Sequence, residues 1–206
     1  MTKIIIIRHG QTNKNIDKKL HDYGDIEQLN DVGKKQMSAT AKYLKDNFKI
    51  DRVYHSSEIR AKESAEIIAN TCGCESVETE GLQERNWGIY TGTPWPQVKE
   101  ILDELTLDER YKFLPENGES WKMMEKRLIN ALNQILEQND EKTVVLVTHG
   151  GTIRALIPYL LKCPLDESFK YDIYNASITI FDYDNGNFKA VMINDTSHLD
   201  KNLVTT

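Results

Sequence analysis

The stretch that decides the fold is residues 3–10, Lys-Ile-Ile-Ile-Ile-Arg-His-Gly. Four consecutive isoleucines form a short apolar run of β-branched residues, which is typical of a parallel strand buried on both faces. The run ends abruptly, so the strand is expected to present Arg8 and His9 at its carboxyl end. Open α/β sheets bind ligands at that end. The stretch therefore predicts a buried strand that leads into a functional cleft.

A second strand of the same kind lies much later in the chain. Residues 144–147 are all apolar, and after one threonine they are followed by His149 and two glycines. The carboxyl ends of parallel strands lie at one edge of a sheet, so the two strand-His-Gly junctions are expected to form one site. The rest of the chain is then the scaffold that brings His9 and His149 together.

The remaining sequence alternates between helical and extended patterns. Helices that start near residues 31, 56, 117 and 151 are predicted from their apolar residues. Two more are predicted near residue 93, from a proline at the first helical position, and near residue 106, from a capping-box pattern. Short strands are predicted at residues 52–54 and 76–79. Two further runs, residues 177–183 and 188–193, flank an Asn-Gly pair and predict a β-hairpin.

Two segments lack a sustained period and are predicted to be loops: residues 11–30 and, lying over the cleft, residues 81–92. The alternation of strands and helices predicts the fold class α/β, as a three-layer sandwich with a mostly parallel central sheet, helices on both faces and an antiparallel edge strand. We expect residues 1–206 to form a single domain, because a chain of this length builds one α/β core.

The composition is ordinary for a globular protein and its balance of charge is acidic. The net charge is -6, the pI is near 5.4, and 39% of the residues are hydrophobic. A basic footprint is missing, which argues against nucleic acid and against an anionic membrane as partners. The N-terminal apolar run is too short for a bilayer span or a signal peptide, so we expect a cytoplasmic protein. The cysteines, Cys72, Cys74 and Cys163, are expected to be reduced thiols.

Six polar side chains are expected to converge at the carboxyl edge of the sheet: Arg8, His9, Asn15, Arg60, Glu84 and His149. Arg60 falls in the first turn of a helix that follows a strand, where backbone N–H groups and the helix dipole favour anions. Guanidinium groups match phosphate oxygens bidentately and stay charged at any working pH. Histidine is an accepted nucleophile at phosphorus. The set indicates a site for a dianionic phosphoryl group, with one imidazole as nucleophile and the other as a hydrogen-bond donor.

A metal site is the main alternative, because histidine is a common zinc ligand. Both histidines are expected near an arginine, whose charge would repel a cation, and the sequence has no H-E-x-x-H motif or paired Cys/His spacing. We therefore expect no metal. The other histidines, His21, His55 and His198, lack a comparable context, and surface or hydrogen-bonding roles are expected for them.

Five blocks of sequence follow one another at characteristic spacing. They are Arg8-His9-Gly10-Gln11-Thr12 with Asn15, Ser57 through Arg60-Ala61, Leu82-x-Glu84 with Gly88 and Gly92, Gly118-Glu119-Ser120, and Thr148-His149-Gly150-Gly151. In this order the blocks resemble the histidine phosphatase superfamily, in particular its phosphoglycerate-mutase-like branch. A lone Arg-His-Gly is a weak signal, whereas five blocks in register are specific. The resemblance covers essentially the whole chain and implies one histidine-phosphatase-like domain over residues 1–206.

The resemblance implies a phosphohistidine mechanism that needs no metal or other cofactor. His9 would attack the phosphoryl group of a small phosphorylated substrate. Glu84 resembles the family's proton donor, which protonates the leaving alcohol and later activates water. The side chains implied to hold the phosphoryl oxygens are Arg8, Asn15, Arg60 and His149. His149 is thus implied both in catalysis and in phosphate binding.

Three functions stay open on the sequence. Glycolytic mutases of the family resemble this chain around Glu84 and Arg85, but they carry a longer basic insertion that keeps water out. Here only residues 93–117 intervene before the next block, so an exposed phosphohistidine and hence a phosphatase are favoured. A phosphoglycerate mutase is the alternative, and a non-catalytic phospho-ligand binding module is a third candidate. The physiological substrate and the oligomeric state are not predicted.

The chain departs from the family's pattern in the loop after Asn15. Where the family often has an arginine followed by a glycine, this chain has Lys19-Leu20-His21-Asp22. Lysine is a point charge without a planar fork, so substrate contacts from this loop are expected to differ. Aromatic residues could line a pocket for the leaving group or pack in the core, and this choice is open for Trp87, Tyr90 and Trp95.

Overall fold

The computed structural model describes residues 1–21, 24 and 26–206. Its six strands form one sheet in the order β3-β2-β4-β1-β5-β6. The strands are β1 (Thr2–Arg8), β2 (Arg52–His55), β3 (Glu75–Glu78), β4 (Thr143–Thr148), β5 (Ile178–Asp184) and β6 (Asn187–Asp195). The helices are α1 (Asn13–Ile16), α2 (Asp31–Asn47), α3 (Ile59–Cys72), α4 (Trp95–Asp103), α5 (Leu107–Lys112), α6 (Trp121–Glu137) and α7 (Gly150–Leu161).

Strand β1 lies between β4 and β5 and is buried on both faces, as its four isoleucines predict. Ile4 and Ile6 pack in the core formed with α6 and α7, whereas Ile5 and Ile7 pack in the core formed with α2 and α3. All four side chains are fully buried. Helices therefore cover both faces of the sheet, and the predicted α/β sandwich is confirmed.

The sheet is mostly parallel and ends in an antiparallel hairpin. Strands β1, β2, β3 and β4 pair in parallel, while β5 runs antiparallel to both β1 and β6. The hairpin turn places Asn185 and Gly186 at φ 47° and 80°. Positive φ at both central residues is the geometry that Asn-Gly favours, which explains why this pair predicted the hairpin correctly.

Most helix boundaries agree with the predictions within a few residues. Asn30 caps α2, Ser120 caps α6, and Gly73 ends α3 in the left-handed region at φ 72°. The prediction of an uninterrupted loop over residues 11–30 was wrong, because the four-residue helix α1 lies within it. Helix α1 begins with a capping box, but four residues are too few to show the apolar periodicity on which the helix predictions relied. Part of the predicted loop lies outside the described residues.

The loop after β1 packs against α2 through two glycines. A Cβ atom on Gly33 would lie 2.2 Å from the Gln11 carbonyl oxygen, and one on Gly10 would lie 2.6 Å from the Gly33 carbonyl oxygen. The Gln36 side chain of α2 also accepts a hydrogen bond from the Gln11 amide at 2.8 Å. The backbone that follows His9 is therefore fixed by direct contact with a helix.

We expect Gly33→Ala to lower the free energy of unfolding by about 1–2 kcal/mol. Helix propensity alone favours alanine by about 1 kcal/mol, but backbone atoms at 2.2 Å must move apart, and overpacking of this kind costs more. Urea unfolding measures the difference, with Lys35→Ala at an exposed position of α2 as the control. Unchanged or increased stability of Gly33→Ala would contradict the contact.

Two further expectations concern the whole chain. That residues 1–206 form one domain stays a prediction, supported by a single sheet whose strands come from residues 2–195. Within the described part of the chain, no helix combines the length and the apolar character that crossing a membrane requires.

Candidate active site

A cavity of about 380 Å³ opens at the carboxyl edge of the sheet. Five of the six predicted side chains line it: Arg8, His9, Asn15, Arg60 and Glu84. The sixth, His149, packs beside His9 with 5.2 Å between the ring centroids. The structure therefore brings the predicted set together, although the roles of its members stay predictions.

The parallel pairing of β1 with β4 explains why the two histidines are neighbours. Arg8 pairs with Thr148 in the ladder, and the His9 amide donates to the Thr148 carbonyl at 2.9 Å. Strands β1 and β4 end at these two paired residues, so the residues that follow them, His9 and His149, lie side by side. The two histidine rings are each no more than 2% exposed.

His9 has the tautomer that a nucleophile requires. Its Nδ1 lies 2.7 Å from the Gly10 carbonyl oxygen, and a carbonyl can only accept, so Nδ1 carries the proton and Nε2 carries the lone pair. Burial, assisted by the charges of Arg60, His149 and Arg8, holds the pKa of His9 well below its ordinary value. The imidazole is therefore neutral at neutral pH, and its lone pair is available.

The same shift has a consequence for stability. The folded pKa of His9 lies below that of the unfolded chain, so on acidification the unfolded state binds a proton first. Below about pH 6.5, the ordinary pKa of histidine, this residue makes folding progressively less favourable.

The two predicted guanidinium groups both supply positive charge to the cavity. Arg60 comes from the first turn of α3 and is fully buried, and the Nη1 group of Arg8 donates to the Ile173 carbonyl. Burial lowers the pKa of Arg8 to about 10; the Glu84 carboxylate opposes this shift, and the charges of Arg154 and Arg60 add to it. Arg8 stays charged at neutral pH, and its buried Nε lacks a hydrogen-bond partner among the described residues. An anion in the cavity would compensate for both features.

Asn15 is held at the cavity by helix α1. Its side-chain oxygen accepts from the Thr12 amide at 3.0 Å and from Asn175 Nδ2 at 3.3 Å, and Asn175 also donates to the His9 carbonyl at 3.2 Å. His21 Nε2 lies 3.3 Å from Asn15 Nδ2. The expected hydrogen-bonding role of His21 is met, but its position on the cavity wall was not predicted.

The Glu84 carboxylate is fixed by two backbone amides. Arg85 N donates to Oε1 at 2.8 Å and Gly151 N donates to Oε2 at 2.9 Å. A Cβ atom on Gly151 would lie 2.3 Å from Oε1, so the carboxylate occupies space that only glycine leaves. Arg127 supports the backbone behind it by donating to the Glu84 carbonyl and to the Glu119 carboxylate, each at 2.9 Å. Each carboxylate oxygen keeps a second lone pair, on which a proton can be carried.

The prediction from sequence did not include several residues of the site. Arg154 in α7 and Asp172 line the cavity, and Glu58 lies behind it in contact with His149. Arg154 had a usable signal, because like Arg60 it follows a strand end by a few residues on a helix. Glu58 had none, because a glutamate at a helix start is ordinarily exposed.

Of the three aromatic residues left open, Trp87 and Trp95 meet both alternatives, since they line the cavity and also belong to one apolar cluster. Trp87 and Trp95 line the cavity with their rings 5.8 Å apart, while Tyr90 packs on Phe113. Among the described residues, no group of three or more His, Cys, Asp or Glu side chains is placed to hold a metal ion.

A neutral buried histidine, guanidinium groups and an anchored carboxyl around one cavity define an enzyme of phosphoryl transfer. The comparison with known families makes this specific: the model of the histidine phosphatase superfamily (branch 1) matches residues 4–196. The chain belongs to this superfamily, and it is a histidine phosphatase. The resemblance seen in the sequence is thereby confirmed.

The similar proteins include both mutase-like proteins and phosphatases. Phosphoglycerate mutase-like protein 4 of Arabidopsis thaliana is 33% identical over 97% of this chain and 87% of the relative. Metal-independent phosphoserine phosphatase of the same plant is 33% identical over 97% of this chain and 84% of the relative. A mutant phosphoserine phosphatase of Entamoeba histolytica, solved with phosphoserine, is 31% identical with a TM-score of 0.79, covering 97% of this chain and 100% of that one.

Proposed function

We propose that the protein is a metal-independent phosphatase that hydrolyses a small phosphorylated metabolite through a phosphohistidine on His9. The observation that carries this proposal is the tautomer of His9, whose Nδ1 is tied to the Gly10 carbonyl at 2.7 Å while Nε2 keeps its lone pair beside the cavity. Guanidinium groups on the cavity wall match the charge of a phosphoryl group, and they stabilise it as the bonds change.

In the first step, Nε2 of His9 attacks phosphorus and the bond from phosphorus to the ester oxygen breaks. The leaving alkoxide takes a proton from the Glu84 carboxyl group and departs as an alcohol. Arg8, Arg60 and His149 hold the non-bridging oxygens, with Asn15 assisting.

In the second step, the same carboxyl group acts as a base. The Glu84 carboxylate takes a proton from a water molecule, whose oxygen attacks phosphorus as the N–P bond breaks. Inorganic phosphate leaves, His9 regains its lone pair, and Glu84 is protonated again for the next turnover. No step requires a metal ion.

Hydrolysis is favoured over transfer to a second alcohol by the segment of residues 93–117. Its three cations make local ion pairs: Lys99 and Arg110 pair with Asp103, and Lys112 pairs with Asp108. Trp95 is the one residue of this fully described segment that lines the cavity. The segment therefore supplies no basic cover over the phosphohistidine, and water can reach it. A phosphoglycerate mutase is the second candidate, since a mutase-like protein is among the relatives.

The cavity wall beyond the phosphoryl site favours a charged leaving group. Arg154 and Asp172 both line the cavity, and the carboxylates of Glu84 and Asp172 act on Arg154 only through their charge. The Arg154 guanidinium lies 5.9 Å from the centre of the Trp121 ring, and burial lowers its pKa. A carboxylate on the leaving group would compensate Arg154, and an ammonium group would suit Asp172. Phosphorylated hydroxy acids and amino acids have this chemistry, in agreement with the phosphoserine phosphatases among its relatives.

The deciding experiment is a panel of phosphomonoesters, assayed for released phosphate with and without EDTA. We expect O-phosphoserine and 3-phosphoglycerate to be hydrolysed with higher kcat/KM than β-glycerophosphate, which lacks a carboxylate. Transfer of the phosphoryl group from 3-phosphoglycerate, in the presence of a bisphosphate primer and without release of phosphate, would favour the mutase. Failure to turn over even p-nitrophenyl phosphate would favour a binding module.

We expect Arg154→Ala to raise KM for the carboxylate substrates by about tenfold or more, the value of one hydrogen bond between charged groups. KM for β-glycerophosphate should change much less, because that substrate offers no partner for the guanidinium group. Lys122→Ala, at an exposed position of α6, is the control. An equal rise in KM for all substrates would show that Arg154 does not bind the carboxylate of the leaving group.

A cytoplasmic location, and the lack of nucleic-acid and membrane partners, stay predictions from composition and charge. The comparisons concern small phosphorylated ligands of related proteins.

A further inference from the structure

Glu58 is a buried carboxylate behind the phosphoryl site, and none of the steps above uses it. The residue is 3% exposed and lies at the junction between β2 and α3, two residues before Arg60. A carboxylate beside a site for a phosphate dianion opposes binding by its charge. Its presence there requires a physical reason.

Glu58 joins three groups of the site. Its Oε2 lies 3.0 Å from His149 Nε2, its Oε1 accepts from the Glu84 amide at 3.2 Å, and Oε1 lies 4.0 Å from Arg60 Nη2. Ser56 Oγ donates to Oε2 and lies 2.7 Å from His149 Nε2. Burial opposes ionisation, but the charge and hydrogen bond of His149, the charge of Arg60 and the Ser56 hydroxyl keep the pKa of Glu58 below its ordinary value.

The hydrogen bonds determine where His149 carries a proton. An ionised carboxylate can only accept, so Nε2 of His149 donates its proton toward Glu58. Nδ1 of His149 is buried and has no hydrogen-bond partner among the described residues. With its one proton on Nε2, a neutral ring has an acceptor at Nδ1 and cannot donate from that atom. A second proton turns Nδ1 into a donor.

We propose that Glu58 is a positioning residue that keeps His149 in the doubly protonated state, with Nδ1–H directed at the transferring phosphoryl group. The proposal rests on the proposed phosphatase function for its kinetic part only. Glu58 supplies the counter-charge, Nε2–H fixes the ring plane, and His149 acts as a cationic donor.

The surrounding charges explain why a counter-charge is needed. The ring of His9 lies beside that of His149, and the charges of Arg60, Arg8 and His21 act on His9; Arg60 of α3 also lies near Glu58, the partner of His149. The other carboxylate nearby, Glu84, is bound to two backbone amides. Positive neighbours oppose a further positive charge, and Glu58 is the carboxylate in direct contact with His149.

The test uses Glu58→Gln, which retains an acceptor for Nε2–H and removes the negative charge. We expect kcat at pH 7.5 to fall by about 10–100-fold, and the loss to shrink as the pH is lowered, because acid can protonate an imidazole that has lost its counter-charge. A structural defect would lower the rate equally at every pH. Glu58→Asp, which keeps the charge, should restore most of the lost activity and the pH profile of the native protein.

Two controls separate charge from the hydrogen-bond network. Ser56→Ala removes a hydroxyl partner but leaves the Glu58 carboxylate, so its pH profile should stay that of the native protein. In a His149→Asn background, Glu58→Gln should add no further pH dependence, because the group through which it acts is gone. A pH-independent loss in Glu58→Gln, or a second pH-dependent loss in the double variant, would overturn the proposal.

A spectroscopic measurement needs no turnover at all. In protein labelled with ¹⁵N-histidine, the His149 ring nitrogens, assigned by their absence in His149→Asn, should both be protonated at pH 7 and one should lose its proton in Glu58→Gln. If no substrate is hydrolysed, the proposed function fails while this result still decides the charge of His149. A neutral His149 ring in the native protein refutes the present proposal and leaves the phosphatase function standing.

Discussion

His9→Ala is expected to reduce kcat for every phosphomonoester by at least about 10³-fold, because the reaction loses its covalent route. Wild-type protein quenched during turnover of ³²P-labelled substrate should contain one labelled phosphoryl group that is stable in alkali and labile in acid. The variant should contain none. The effect is large because Nε2 of the neighbouring histidine, His149, is in contact with Glu58 and is not free to replace Nε2 of His9.

His198→Ala is the matched control, since His198 bonds to Thr40 at 2.9 Å and does not line the cavity. It should retain activity and the labelled intermediate. Wild-type turnover without a labelled intermediate, or full activity of His9→Ala, would rule out His9 as the phosphoryl acceptor.

Glu84→Gln is expected to lose about 10²–10⁴-fold in kcat with alkyl phosphates such as O-phosphoserine, because an alkoxide cannot leave without a proton. With p-nitrophenyl phosphate the result should differ in kind. Nitrophenolate leaves unprotonated, so the first step survives, while the water that attacks phosphohistidine has lost its base. Stopped-flow absorbance should then show a burst of about one nitrophenolate per active site, followed by slow turnover.

Two comparisons make this test specific to the proton. Glu84→Ala should behave similarly, which excludes an effect of the glutamine amide against the Arg85 or Gly151 N–H groups. Glu80→Gln, at an exposed position before the same loop, should leave kcat unchanged for both substrates. If both substrates lose activity equally and no burst occurs, Glu84 positions the substrate and does not transfer the proton.

The parts of the fold that sequence predicts well are those with a local physical cause. The isoleucine run predicts β1 because continuous β-branched residues suit only a strand buried on both faces. Asn185-Gly186 predicts the hairpin because few other pairs adopt two positive φ angles. The convergence of His9 and His149 follows from the parallel order of strands, which a strand-helix alternation implies.

The parts that sequence predicts poorly depend on contacts between distant segments. His21 reaches the cavity through bonds with Thr12 and Asn15, along a stretch that has no period to reveal its direction. Glu58 resembles any acidic residue at a helix start, and only the approach of β4 beside β2 turns it into the partner of His149. A sequence pattern predicts which face of a helix or strand a residue occupies. It does not predict which side chain from a distant segment contacts that residue.

The position of β1 between two neighbours, with its alternate side chains in two separate cores, has a mechanical consequence. His9 is attached to the segment that is most constrained by the rest of the molecule, so it can shift appreciably only when the whole sheet opens. Glu84 belongs instead to the irregular segment between β3 and α4, where hydrogen bonds from two backbone amides, and not a strand, hold its carboxylate. In the proposed mechanism, the phosphoryl group would therefore be received by an atom that the sheet holds in place, and the proton would be moved by a carboxyl group that individual hydrogen bonds hold.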